Sequence, residues 1–273
     1  MADNGNTEEY GIIFLPEYVK LRGKIKMLRT ELSMLLLERD ELVFVECKNI
    51  ETAYMLSLGS LEYKAYELHC AVLRLKRKLE LIRAKKNRQE TVVLSAIEQT
   101  LDEEFAEYKE RLDEQINKMN DALKRSRSEF LSAEETKELK KLYHTAVKAL
   151  HPDLNPNESE AQAELFNSAV TAYENGDLNS LRIICSMVDD PALPERKEND
   201  MAVLEKEKDR LTELLRILRE EIAKIKSEYP YTMKELIRDE EKLAEKKAEL
   251  EDTISRLRSA LESYKKRIAE ILR

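Results

Sequence analysis

Residues 137–178 read KELKKLYHTAVKALHPDLNPNESEAQAELFNSAVTAYENGDL, and their punctuation decides how the rest of the chain is parsed. Ser132 with Glu135 forms a capping box, so a helix is predicted from about 133 to 150, with Leu139, Leu142, Tyr143, Ala146, Val147 and Leu150 on its apolar side. It must end at His151, because Pro152 disfavours helical geometry in the residue before it and has no N–H to donate. The expectation is a fixed turn that holds His151 and Asp153 outward. A second helix is predicted after Asn157 or Ser159, burying Leu165, Phe166, Ala169, Ala172 and Tyr173, until Asn175 and Gly176 supply a left-handed stop. Two antiparallel helices would then clasp one polar loop.

Outward from this module the rhythm changes. The opening MADNGNTEEY is polar and acidic, so no signal or transit peptide is read there, and 1–15 is expected to be disordered. Over 16–128 apolar residues recur at three- and four-residue steps: Tyr18, Leu21, Ile25, Leu28, Leu32 and Leu35, then Leu61, Ala65, Leu68, Val72, Leu75, Leu79 and Ile82. Gly59 and Ser60 are read as a short turn at which these two helices fold back on each other. A third helix, about 91–128, carries Ile97, Leu101, Phe105, Tyr108, Leu112, Ile116, Met119 and Leu123. The compact module spans 129–190 and closes at Asp189–Pro194. Over 197–273 the seam resumes at Leu204, Leu211, Leu215, Leu218, Ile222 and Ile225, stops at Pro230, and restarts through a capping box at Thr232 and Glu235. That region is expected to be an antiparallel coiled-coil hairpin.

Composition agrees with an all-α chain. Of 273 residues, 37% are charged, and only 5 Gly and 6 Pro interrupt them, too little turn chemistry for a strand-rich fold. A net charge of -8 argues against a nucleic-acid partner, and Lys124, Arg125 and Arg127 are too few to reverse that. Cys47, Cys70 and Cys185 are scattered, which supports neither a disulfide framework nor a zinc site and suits a reducing, cytoplasmic setting. No apolar run approaches the ~18 residues that would span a bilayer. No Gly-rich phosphate loop, metal cluster or nucleophile–base pair is present at motif spacing, so neither a cofactor nor an enzymatic role is expected.

The segment from about 132 to 188 resembles the J-domain of DnaJ-like co-chaperones. The resemblance rests on His151-Pro152-Asp153, on Tyr143 eight residues before the histidine, on Ala146 and Val147 toward the loop, and on Phe166, Ala169, Ala172 and Tyr173 beyond it. It implies docking to a DnaK-type heat-shock chaperone and stimulation of its ATPase through His151, Pro152, Asp153 and Tyr143, with Lys140, Lys141 and Lys148 meeting an acidic surface. There are departures from the family pattern. His144 and Thr145 stand where basic residues are usual, Ala149 replaces a frequent lysine, and nothing matches the family's first helix. The end of the third arm helix, with Leu123, Phe130 and Leu131, or part of the C-terminal arm is expected to take that place. On this reading the coiled-coil arms hold a client or partner protein. A structural or scaffolding protein with a degenerate J-like module is the alternative, and the seams leave self-association open.

Overall fold

The computed structural model describes residues 16–127, 131–156, 159–188 and 201–273, and no strand occurs among them. The expected disordered start at 1–15 and the break at 189–194 lie outside the described residues. The chain divides into two compact units, Met1–Val45 with Leu131–Lys226, and Glu46–Phe130 with Ser227–Arg273.

From Pro16 to Asn87 the backbone is continuously helical: α1 (Pro16–Glu41), a π-helical turn (Leu42–Cys47), α2 (Lys48–Tyr54), a second π turn (Met55–Gly59) and α3 (Ser60–Asn87). The fold-back read at Gly59 and Ser60 is therefore corrected. Gly59 has φ -55° and ψ -40° and Ser60 φ -67° and ψ -35°, ordinary right-handed helix. What glycine supplies here is room. A Cβ on Gly59 would stand 3.3 Å from both Met119 Cγ and Met55 Sδ, so the missing side chain is a notch for Met119.

In the first unit, α6 (Ala133–Leu150), α7 (Glu160–Glu174) and α8 (Leu178–Met187) pack on one another, and α1 packs on α6. Residues Tyr18, Ile25, Leu32 and Leu36 of α1 are buried, as are Leu211, Leu215, Leu218 and Ile222 of α9 (Met201–Ser227). Ion pairs set the direction of α9 along α1. Glu31 pairs with Arg219 and Glu38 with Lys226, each 188 residues apart, so the two helices run parallel. Exposed pairs of this kind are worth ~0–1 kcal/mol each, which leaves most of the adhesion to the apolar seams.

In the second unit, α4 (Leu94–Glu104), α5 (Ala106–Arg127), α10 (Lys234–Arg238) and α11 (Glu240–Leu272) gather around α2 and α3. The single helix expected over 91–128 is two, broken at Phe105 (φ -107°, ψ 12°). Leu79 and Ile82 of α3, Ile97 and Leu101 of α4 and Ile268 of α11 form a buried cluster, and the Lys86 ammonium donates to the Ile271 carbonyl. The C-terminal ends of α3 and α11 thus lie side by side, again a parallel pair. Arg74 to Glu98 and Asp102 (both 2.7 Å) and Arg77 to Glu104 (2.9 Å) lace α3 to α4.

The two long helices of the region 197–273, where an antiparallel hairpin is expected, fall one in each unit. Helix α11 lies along α3, and α9 is joined to α1 by the ion pairs of Glu31 and Glu38. The capping box expected at Thr232 and Glu235 gives way: Tyr231–Met233 is a 3-10 turn, and the cap of α11 is Asp239, whose carboxylate accepts from the Glu241 and Lys242 N–H groups (both 3.1 Å).

The heptad rhythm does not separate Ile82 from Ile116, but the packing does: the first is fully buried and the second 39% exposed. Chemical denaturation is expected to show Ile82→Ala losing about 2–5 kcal/mol and Ile116→Ala less than about 1 kcal/mol.

Candidate functional site

The capping box at Ser132 and Glu135 is formed, with both reciprocal hydrogen bonds, and α6 runs as its sequence predicts to a C-cap at His151. Helix α7 opens on a second capping box, Ser159 with Gln162, and ends at Gly176 with φ 69°. Near the loop His151 meets Phe166, and at the far end Tyr143 meets Tyr173, so α6 and α7 are antiparallel. Helix α8, capped by Asp177, has no counterpart in the sequence reading, although Leu178, Leu181 and Ile184 at three-residue steps carry its signal.

The turn is built around the histidine. His151 is extended (φ -65°, ψ 129°), as the following proline requires, and its N–H still closes the last turn of α6 on the Val147 carbonyl at 3.0 Å. Its carbonyl accepts from the Leu154 and Asn155 N–H groups (3.0 and 2.9 Å), and its Nδ1 accepts from the Asp153 N–H at 3.1 Å. The imidazole is only 5% exposed and stands edge-on to Phe166, centroids 5.0 Å apart. The expectation of an outward His151 is thus corrected: the ring points in and ties the loop. Burial pushes its pKa below the ordinary value, with Asp153 opposing, so the ring stays neutral and Nδ1 remains an acceptor. Pro152 is exposed and Asp153 half-buried, which makes these two the presented part of the loop.

Tyr143 also points inward. It is fully buried, stacks on Tyr173 with centroids 4.1 Å apart, and donates its hydroxyl to Asp40 Oδ2 of α1 at 2.7 Å. Asp40 is itself buried, and its other oxygen accepts from Arg39 Nε and Nη2 (2.8 and 2.6 Å). Burial, then the Asp40 charge, raise the Tyr143 pKa, which keeps the hydroxyl a donor. Tyr143 is therefore a packing residue, not a contact for a partner. Lys140 is paired with Glu41. Lys141 and Lys148 are exposed, and Lys137, absent from the residues that the sequence singles out, is exposed on the same face one helical turn before Lys141. His144 is half-buried, with Nε2 lacking a partner; burial and then Lys148 lower its pKa.

Helix α6 is joined to the C-terminal part of α1 through Asp40 and Glu41. Leu123 belongs to the second unit, Phe130 lies outside the described residues, and Leu131 sits against Gly176, 3.5 Å from where its Cβ would be. A further group at the loop that carries no sequence signal is Arg210 of α9. Its Nη1 donates to the Asp153 carbonyl at 3.0 Å, and its Nε and Nη2 to Glu207 at 2.8 and 3.0 Å. Glu207 in turn accepts from Arg29 of α1 at 2.8 Å.

Among the described residues no cluster of His, Cys, Asp or Glu is placed to hold a metal ion, and no helix is long and apolar enough to cross a membrane. Comparison with known proteins finds no family model, no curated protein and no solved structure that matches the chain.

Two histidines kept neutral by burial give a pH dependence with a definite sign. Because their pKa values are lower folded than unfolded, the unfolded chain binds more protons as pH falls below about 6.5, and stability drops with it. Thermal unfolding is expected to show a lower Tm at pH 5.5 than at pH 7.5, with a smaller difference in His151→Gln. An equal difference in the variant contradicts the assignment to His151.

Proposed function

We propose that this chain is a J-domain co-chaperone or adaptor that recruits a DnaK-type heat-shock chaperone and stimulates its ATPase, while its coiled-coil helices hold a client or partner protein. One observation carries the reading: a His-Pro-Asp turn, internally hydrogen-bonded through His151, joins two antiparallel helices beside an exposed lysine face. Asp153 would accept a charge-assisted hydrogen bond from an arginine of the partner, a contact roughly twice as strong as a neutral one. Lys137, Lys141 and Lys148 would steer an acidic surface toward it. Pro152 keeps the turn stiff, so little ordering entropy is lost on docking. His151 and Tyr143 act from inside, His151 by shaping the turn and Tyr143 by fixing α6 on α1.

A second reading, a scaffolding protein in which the J-like module is an internal packing element, is favoured by one feature: Arg210 of the chain's own α9 already engages the loop. ATP turnover by a DnaK-type chaperone separates the two. The intact chain is expected to accelerate single-turnover hydrolysis, and Asp153→Asn to abolish that acceleration without changing the Tm. Acceleration that survives in Asp153→Asn contradicts docking through the loop, and none from the intact chain or from any variant with a freed loop leaves the scaffold.

A further inference from the structure

The first ten residues of α9 differ from the rest of that helix. None of residues 201–210 is fully buried, Met201 and Leu204 being half-buried, whereas Leu211, Leu215, Leu218 and Ile222 anchor the remaining turns. A chain of charged hydrogen bonds ties residues 201–210 to the J-like module. Arg29 of α1 donates to Glu207, Glu207 holds the Arg210 guanidinium by two hydrogen bonds, and Arg210 reaches the Asp153 carbonyl. The Arg29 and Arg210 side chains are 30% and 32% exposed, and Glu207 is 19% exposed. We propose that residues 201–210 form an ionic latch that seats Arg210 on the loop, where a docking partner's arginine would come, and so hold the J-like module in a closed state.

This rests on the docking reading above and adds its regulation. A guanidinium beside Asp153 repels a second cation and occupies one of the loop's outward acceptors. No side chain of 201–210 is fully buried, and Met201 and Leu204 are its half-buried apolar ones, so opening uncovers less apolar surface than lifting Leu211 and Leu215 would, and its cost includes the loss of the Arg210 hydrogen bonds. The helix beyond Leu211 stays seated on its leucines. An acidic partner surface lowers that cost by offering Arg210 a new carboxylate while it meets Lys141 and Lys148. The same surface that docks would therefore release the latch, a population shift driven by differential contacts with the open state.

The test uses the full chain with Arg210→Gln, and Glu207→Gln as a second variant that frees Arg210 without removing it. If the latch closes the site, Arg210→Gln reaches half-maximal stimulation of the chaperone ATPase at about fivefold lower concentration than the intact chain. Glu207→Gln shifts the same way by less. Hydrogen exchange over 201–210 is expected to quicken in both variants while exchange over 211–222 stays unchanged. Equal or weaker stimulation by Arg210→Gln overturns the proposal, since Arg210 then supports the loop rather than blocks it. If every chain is inert toward the chaperone, the docking reading falls; exchange over 201–210 then decides the latch alone, and the absence of a change in Arg210→Gln rules it out.

Discussion

A carboxylate buried in a helical seam constrains much of the first unit. Asp40 continues the spacing of Leu32 and Leu36, where an apolar residue would ordinarily sit, and a charge placed there must be compensated several times over. Arg39 supplies two of its hydrogen bonds from the same helix and the Tyr143 hydroxyl supplies the third from α6. The consequence is orientation. With Tyr143 fixed on Asp40 and stacked on Tyr173, the α6–α7 pair has one rotation against α1, and the turn at its end faces one direction. A leucine in place of Asp40 would pack with less specificity, since apolar contacts tolerate sliding that a buried hydrogen-bonded charge does not.

The local features of the α6–α7 pair are readable in the sequence because their causes are local. Ser132 with Glu135, Pro152, and Asn175 with Gly176 dictate where α6 and α7 begin or end through hydrogen bonds and backbone geometry within a few residues. Partners of high sequence separation leave no such signature. The seams of α1, α3, α9 and α11 carry the same heptad rhythm whether they pair in a hairpin or in parallel, and the direction emerges only once Glu31 and Glu38 are seen against Arg219 and Lys226. Gly59 misleads for a related reason: a glycine that relieves crowding against Met119 looks, along the chain, like one that breaks a helix. The inward turn of His151 is not legible either, because the proline rule governs the backbone, whereas the ring follows Phe166 and the Asp153 N–H.

Parallel pairing has a structural corollary. Two segments of one chain can run parallel only when a long connection returns the chain to its start. Within the first unit that connection includes α6, α7 and α8, so α1 meets both α6 and α9, and the loop between α6 and α7 lies within reach of Arg210 because α6 and α9 are both held on α1. Scaffold and site are therefore not separable in the way that arms attached to an independent module would be. Most of the charge in the sequence lies on exposed helix faces, but Asp40, Glu207 and Arg210 are committed to this junction, where each has a specific partner.

A double-mutant cycle between Asp40→Ala and Tyr143→Phe, read by equilibrium unfolding of the full chain, tests the junction most directly. The buried hydrogen bond predicts a coupling of about 1–3 kcal/mol, so that the double variant is less destabilised than the two single variants added together. Additivity within about 0.5 kcal/mol would show that Asp40 does not hold α6 on α1, and the orientation of the loop would need another cause.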